Sequence, residues 1–336
     1  MPTSVSNIVY KSTLGITAMQ GRGFYFPYDF AFDNSKKMYV LGRGHDGDPR
    51  GCRITVMDFE EEYYGTFGSH GEQDGQFIWP SSIAINSQDK IFVSDEYLDK
   101  IIVLSTSGEF LFSWGQHGTG DGDFDGPNGL TFDGDGNLLV VDHRSGRIQV
   151  FDEEGGFIRK FGSVGNNEGQ MNLPWGISTD SNGHIYVADW GNHRVQEFLA
   201  DETFVKSFGY YGNEDGQLIH PSSVTVDSNG FVYIADWGNH RLQVYDSEAN
   251  FICSTRGEAT LSKWAQEFLD TNVEEKEARL KSELVFKLDG FEDDPHEESA
   301  HVEKFLWSPT AVKVHNEYVL IAESNRHRLQ VFHQLS

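Results

Sequence analysis

The sequence predicts an all-β protein, a six-bladed β-propeller made of four-stranded blades. Three observations support this prediction: one template recurs six times in 336 residues, each copy divides into short apolar runs, and 36 glycines supply turns between them. A repeat of roughly 20 to 50 residues is typical of solenoids and propellers, because one unit cannot bury its apolar faces alone.

The repeat is clearest in two segments, LPWGISTDSNGHIYVADWGNHRVQEF at 173–198 and HPSSVTVDSNGFVYIADWGNHRLQVY at 220–245, which align without a gap. The template also fits 126–151 and 79–104, and more loosely 26–57 and 308–332. Each copy carries a marker proline near its start, namely Pro27, Pro80, Pro127, Pro174, Pro221 and Pro309. Their spacings are 53, 47, 47, 47 and 88 residues, so the six copies predict six blades.

Each copy divides into four predicted strands. In the fourth copy these are 176–180, 184–189, 194–198 and 204–208. The first two are joined by Ser-Asn-Gly, and Asn-Gly between two alternating apolar runs favours a tight hairpin because both turn residues accept a positive φ.

The two ends of the chain predict how the ring closes. The last copy stops after its third strand, and NIVYKSTLG at 7–15 resembles a fourth strand such as GFIRKFG at 156–162. We therefore expect the amino-terminal strand to complete the last blade, which also removes an exposed sheet edge.

One segment interrupts the repeat, the insertion 258–305 between blades five and six, with six basic and fourteen acidic residues. A first helix is predicted from an apolar face formed by Trp264, Ala265, Phe268 and Leu269. A second helix is predicted to begin at Asn272, with Glu275 completing a capping box, and 291–304 is predicted as a loop. Two roles stay open: a solvated acidic surface, or a lid over one mouth of the propeller.

Composition limits the classes of partner. With 26 basic and 52 acidic residues the formal charge is −26, and no basic cluster offsets it, so we expect no nucleic-acid binding. No apolar run is long enough to span a membrane, and no secretory signal precedes the repeats. Cys52 and Cys253 form no metal-binding motif. We expect a cytoplasmic, monomeric protein without membrane association.

Three segments resemble the signature of the NHL repeat family: GNHRVQEF at 191–198, GNHRLQVY at 238–245 and NRHRLQVF at 325–332. The resemblance implies a single propeller domain over 1–336, with 258–305 as its one insertion. NHL propellers include RNA-binding regulators, protein-interaction modules and a zinc lyase that acts on peptidyl-α-hydroxyglycine. The resemblance therefore implies an architecture, and the function has to be argued from the site.

The zinc of that lyase depends on histidines that directly follow the marker prolines. Here the equivalent positions hold Tyr28, Ser81, Asn128, Trp175, Ser222 and Thr310. None is a histidine, so the lyase activity is not transferred to this chain.

Residues that recur in several copies are predicted to maintain the blade. They include the signature histidines His193, His240 and His327. The recurrent arginines Arg147, Arg194, Arg241 and Arg328 are predicted to pair with acids of the second strand, such as Asp142, Asp189 and Asp236, or with backbone carbonyls.

Residues that do not recur are the candidates for a functional site, because a site is added where the repeat is broken. They gather at one mouth, where first strands begin and second strands end. The candidate ligand-binding residues are Arg43, Tyr97, Asn128, Arg144, Trp175, Trp190 and Trp237. Arginine suits an anionic group and the aromatic rings suit flat walls, so one hypothesis is a propeller that binds a small molecule or a protein at this mouth.

The alternative hypothesis is a metal-assisted hydrolase or lyase, for example lactonase-like, at the same mouth. Its candidate catalytic residues are His45, Asp46, Glu96 and His143. Imidazole and carboxylate groups are ligands for divalent metals that activate water or polarise a carbonyl, so His45, Glu96 and His143 are candidate ligands for zinc or calcium. The sequence leaves open whether the protein is an enzyme.

Overall fold

The computed structural model describes residues 8–45, 48–284 and 294–335, and these form six four-stranded antiparallel sheets. The first strands of neighbouring sheets contact one another around a ring, and the sixth sheet contacts the first. The predicted six-bladed propeller is confirmed. No helix among the described residues is long and apolar enough to cross a membrane.

The blades follow the marker prolines. Blades one to three consist of Pro27–Phe32, Met38–His45, Asp48–Met57 and Tyr63–Phe67; Pro80–Ile85, Lys90–Asp95, Lys100–Ser105 and Phe110–Trp114; and Pro127–Phe132, Leu138–Asp142, Arg147–Phe151 and Phe157–Phe161. Blades four to six consist of Pro174–Thr179, Ile185–Asp189, Arg194–Phe198 and Phe204–Phe208; Pro221–Val226, Val232–Asp236, Arg241–Tyr245 and Phe251–Thr255; and Pro309–His315, Tyr318–Glu323 and Arg328–His333 with Val9–Leu14.

The amino-terminal strand closes the ring as predicted. Val9–Leu14 pairs antiparallel with Arg328–His333, so the sixth blade is completed by the other end of the chain. The core divides into six apolar clusters among the described residues, and each lies between two neighbouring blades. Burial of apolar surface between blades is therefore the main force that holds the ring together.

A buried carboxylate at the end of the second strand organises the entry loop, the segment that leads into each marker proline (162–173 in blade four). Asp189 is fully buried and accepts hydrogen bonds from the Asn172 N–H at 2.7 Å and from Arg194 Nε at 2.8 Å. Arg194 also donates to two carbonyls of the entry loop, those of Asn167 and Gln170. The same unit recurs with Asp142 and Arg147, Asp236 and Arg241, and Glu323 and Arg328. The predicted pairing with acids and with carbonyls is confirmed.

The signature histidines join one blade to the next. His327 Nδ1 accepts the N–H of Phe26, the residue before the first marker proline, at 2.9 Å. His193 and His240 accept the equivalent N–H groups of the following blades. Each of these histidines has a left-handed backbone, with φ between 54° and 57°. In blade two Asp99 takes this role, because its Oδ1 accepts the N–H of Gly126 at 2.8 Å.

The insertion contains three described helices: α1 (Lys263–Thr271), α2 (Val273–Lys281) and α3 (Pro295–His301). The first two match the prediction, but the predicted capping box does not form, because the Asn272 side chain makes no capping hydrogen bond to α2. The prediction that 291–304 is a loop is wrong for Pro295–His301, which form α3. Asp294 caps α3 by accepting the N–H groups of His296 and Glu297, and a proline occupies its first turn.

The insertion is anchored at both ends. Trp264 of α1 is fully buried in the cluster between blades six and one, and its indole N–H donates to the carbonyl of Glu61. Arg326 of blade six donates to the carbonyls of Ser299 and Ala300 at the carboxyl end of α3. His296 of α3 also hydrogen-bonds to the signature histidine His240, at 3.0 Å. The insertion thus packs on blades five, six and one.

We predict that the His327 junction makes stability depend on pH. Its Nδ1 accepts a hydrogen bond, so the ring is neutral, and burial lowers the pKa of His327 to about 4. The unfolded value is about 6.5, so between these values the unfolded chain binds more protons and the free energy of unfolding falls as pH falls. His327→Asn keeps a residue that tolerates the left-handed backbone and removes this titration.

Urea unfolding at several pH values checks this prediction. We expect His327→Asn to lose on the order of 1 kcal/mol in the free energy of unfolding at neutral pH, since it removes the partly buried hydrogen bond from the Phe26 N–H to His327 Nδ1, and to decline less than the wild type toward pH of about 4. His70→Asn, at an exposed position, is the control. Equal declines in all three proteins would show that His327 does not carry the effect.

Candidate functional site

The central mouth of the propeller opens into a cavity of about 520 Å³, called here the central cavity. Its lining residues are Tyr28, Arg43, Gly44, Trp79, Glu96, Asn128, His143, Leu173, Trp175, Trp190, Trp237, Ser308, Thr310, Ser324 and Asn325. They come from all six blades, at the starts of first strands, the ends of entry loops and the loops after second strands. The predicted mouth therefore holds a cavity.

Blades one to three give the cavity a charged side. Arg43 Nη2 lies 2.7 Å from one Glu96 carboxylate oxygen, and Arg144 Nη2 lies 2.7 Å from the other. Arg144 also approaches Asp125 at 3.5 Å. Arg43, Arg144, Glu96 and Asp125 thus form one cluster, in which each carboxylate oxygen of Glu96 is paired with an arginine.

Arg43 is held between two aromatic rings. Its guanidinium carbon lies 4.5 Å from the ring centre of Tyr28 and 4.3 Å from that of Trp79. Cation–π attraction and the Glu96 ion pair together fix the guanidinium at the wall. Burial raises the pKa of Tyr28 to about 12, although Arg43 opposes that rise, so the phenol is neutral.

His143 lines the cavity with a neutral imidazole ring. Its Nδ1 lies 2.9 Å from the carbonyl oxygen of Pro174, which can only accept, so Nδ1 carries the proton. Burial lowers the pKa of His143, which keeps the ring neutral near pH 7. Nε2 therefore carries no proton and can accept a hydrogen bond.

Blades four and five give the cavity an aromatic side. The ring centres of Trp175 and Trp190 are 5.8 Å apart and those of Trp190 and Trp237 are 6.3 Å apart, with the planes tilted by 54° and 55°. His220 stacks on Trp190 at 3.7 Å and supports it. The three indoles form one wall of the cavity. Tyr28 links this wall to Arg43, since its ring centre lies 6.2 Å from that of Trp175 and 4.5 Å from the Arg43 guanidinium carbon.

Three buried polar atoms of the cavity residues have no hydrogen-bond partner among the described residues. They are Arg43 Nε, Asn128 Oδ1 and Trp190 Nε1. A buried polar group without a partner costs on the order of 1 to 3 kcal/mol, so such groups need water or a ligand. Two donors and one acceptor of residues at this site thus lack a partner within the described part of the chain.

The channel below the cavity is closed by an ion pair. Lys313 Nζ lies 2.8 Å from Asp29 Oδ1 and donates to the carbonyl of Ile83 at 3.0 Å. The buried Asp29 also accepts from Ser82 Oγ at 2.6 Å. The space at this waist is about 30 Å³, room for a water molecule, whereas a lower cavity of about 330 Å³ opens beneath it. A ligand of the central cavity therefore enters and leaves by one mouth.

The structure brings together most of the predicted site residues. Those that line the central cavity are Arg43, Glu96, Asn128, His143, Trp175, Trp190 and Trp237. Arg144 contacts the cavity through Glu96. His45 and Tyr97 instead line a neighbouring cavity of about 490 Å³, where the ring of His45 packs on Phe26. Asp46 lies outside the described residues.

The predicted metal ligands do not form a group. Glu96 and His143 line the central cavity and His45 does not, because the second strand of blade one continues outward to His45. Glu96 is also bound by two arginines, which disfavour a cation beside it. Among residues 8–45, 48–284 and 294–335 no three His, Cys, Asp or Glu side chains are placed to hold a metal ion.

Sequence reasoning missed the residues that precede the marker prolines. Trp79, Leu173 and Ser308 line the cavity from the ends of their entry loops. The backbone φ is 50° at Leu173 and 52° at Ser308, a left-handed conformation that changes the direction of these side chains. The signal was present in the sequence, since the position directly before the proline is aligned in every copy.

The fold and the cavity define the class: a six-bladed β-propeller with a recessed site at one central mouth. Within this class, the chain contains NHL repeats, because the model described as "NHL repeat" matches residues 124–151, 171–198 and 218–245, in blades three to five. A comparison with curated proteins finds no match.

Solved structures share the fold at low sequence identity. A streptogramin B lyase is 11% identical with a TM-score of 0.56, covering 98% of each chain. A catalytically inactive virginiamycin B lyase from Staphylococcus aureus with quinupristin is 10% identical with a TM-score of 0.56, covering 96% of this chain and 99% of that one. An auxiliary nutrient binding protein from Bacteroides thetaiotaomicron VPI-5482 is 11% identical with a TM-score of 0.60, covering 97% and 75%. At these identities the likeness concerns the fold alone.

We predict that the ion pair at the waist is required for stability. Lys313→Met would leave the Asp29 carboxylate buried without its cation, at a cost on the order of 3 kcal/mol in the free energy of unfolding. The double variant Asp29→Asn with Lys313→Met removes both charges and should recover part of that loss. Urea unfolding measures both effects, with Lys304→Met as the control for a surface ion pair. If Lys313→Met is no less stable than Lys304→Met, the ion pair does not hold the waist.

Proposed function

We propose that the protein binds a small amphipathic molecule in the central cavity, with a flat or apolar part on the tryptophan wall and a polar or anionic group at Arg43. The observation that carries the proposal is the division of one cavity into two sides. Trp175, Trp190 and Trp237 form one side, and the Arg43–Glu96–Arg144 cluster forms the other.

The cavity fits a small molecule better than a protein surface. Its volume of about 520 Å³ lies within the range of roughly 300 to 1,000 Å³ that is typical of small-molecule sites. It is recessed between blades and closed below by the Lys313–Asp29 pair. No described residue of the insertion 258–305 lines it, so the described helices leave this mouth open.

Two of the similar structures carry small-molecule functions in their descriptions: a lyase with quinupristin and a nutrient binding protein. For this chain the place of the ligand is inferred from the residues that line the central cavity. A metal-assisted hydrolase or lyase at this mouth needs a ligand group other than His45, Glu96 and His143.

A thermal-shift screen of small molecules tests the proposed function. A library of small carboxylates and amphipathic metabolites should contain compounds that raise the melting temperature, since a ligand at a hundredfold excess over its Kd adds about 2.7 kcal/mol. We expect Trp190→Ala and Arg43→Met to abolish the shift. Tyr210→Ala, which removes an exposed ring outside the cavity, should retain it.

Two outcomes contradict the proposal. One is a library without any compound that stabilises the wild type. The other is a set of compounds that stabilise wild type, Trp190→Ala and Arg43→Met equally, because their binding site then lies elsewhere.

A further inference from the structure

The aromatic side of the central cavity has a composition that points to one ligand class. The lining residues from blades four to six are Leu173, Trp175, Trp190, Trp237, Ser308, Thr310, Ser324 and Asn325. None carries a charge, so a group bound here is held by ring faces and neutral polar atoms. Resting on the function proposed above, we propose that this side binds the quaternary ammonium group of a zwitterion whose carboxylate lies at Arg43.

The geometry of the indoles favours a cation without N–H donors. The three rings line one cavity, and neighbouring rings are tilted by 54° and 55°, so they present π-surfaces at different angles to a group bound there. A quaternary ammonium group needs no hydrogen-bond acceptor and gains its attraction from such faces. The cavity already holds one cation in this way, since Arg43 packs on the rings of Tyr28 and Trp79.

The charge of the whole protein favours a ligand with a cationic head. The formal net charge of −26 produces a field that attracts cations to the surface and repels simple anions. A zwitterion is not repelled as a simple carboxylate is, and it can still present a carboxylate to Arg43.

The charged side of the cavity indicates that the other end of the ligand is a carboxylate. The buried Arg43 Nε has no partner among the described residues, and a carboxylate is the acceptor that a guanidinium N–H binds most strongly. Tyr28 lies between the two halves, because its ring contacts both the Arg43 guanidinium and Trp175. The carboxylate position and the tryptophan wall thus lie on either side of Tyr28, and trimethylammonium carboxylates of the betaine type carry the matching pair of charges.

Isothermal titration calorimetry with matched ligands tests the inference. The probes are glycine betaine and γ-butyrobetaine, each compared with its carbon isostere, in which a tert-butyl group replaces trimethylammonium (tert-butylacetate for glycine betaine). Shape and carboxylate stay constant within a pair, and only the cationic charge is removed. We expect at least one betaine to bind at least tenfold more tightly than its isostere.

Two variants test which side of the cavity binds the ammonium group of the ligand and which side binds its carboxylate. Trp237→Leu should weaken the betaine at least tenfold and change the isostere much less, because leucine keeps apolar contact without a ring face. Arg43→Met should weaken betaine more than choline, which lacks a carboxylate. Circular dichroism confirms that both variants are folded before they are titrated.

The outcomes separate this inference from the proposed function. Equal affinities for betaines and isosteres would overturn the ammonium site while keeping a ligand-binding cavity. A second result would also overturn the ammonium site and keep the ligand-binding cavity: the library screen finds stabilising compounds that depend on Trp190, but no betaine binds. Absence of all cavity ligands would overturn both.

Discussion

The buried carboxylate at the end of the second strand is the interaction on which the rest of this structure depends. Asp142, Asp189, Asp236 and Glu323 are fully buried, and each binds an arginine of the third strand and an N–H of the entry loop. Leaving such a charge unpaired in the interior is costly, so the entry loop is held where it satisfies the carboxylate. The cavity residues at the ends of these loops are placed by the same bonds.

Two of the three blades that form the charged side carry an incomplete unit. Blade one has Gly42 in place of the acid, and its arginine, Arg53, donates to the carbonyls of Ala18 and Gly23 instead. Blade two keeps Asp95 but has Lys100 in place of the arginine, and Asp95 accepts backbone N–H groups. These two blades supply Arg43 and Glu96, the ion pair at the centre of the charged side.

The repeat made the ring, its closure and the structural histidines predictable from sequence, because each depends on residues that recur at a fixed spacing. The direction of side chains in unique loops was not predictable in the same way. His45 and Tyr97 line a neighbouring cavity, whereas Glu96 is drawn to the central mouth by two arginines from other blades. The segment of helix α3 was predicted as a loop because its acidic residues favoured a solvated surface, and the N-cap residue Asp294 is itself one of a run of acids.

Hydrogen exchange of the Arg194→Leu variant tests most directly whether the carboxylate unit holds the site. Removing this arginine takes away its bonds to Asp189 and to the carbonyls of Asn167 and Gln170. We expect faster amide exchange across the entry loop 162–173 and greater accessibility of Trp175 and Trp190 to a fluorescence quencher. The entry loop of blade three, 115–126, should exchange as in the wild type. Unchanged protection of 162–173 in a folded variant would show that the carboxylate unit does not hold the entry loop.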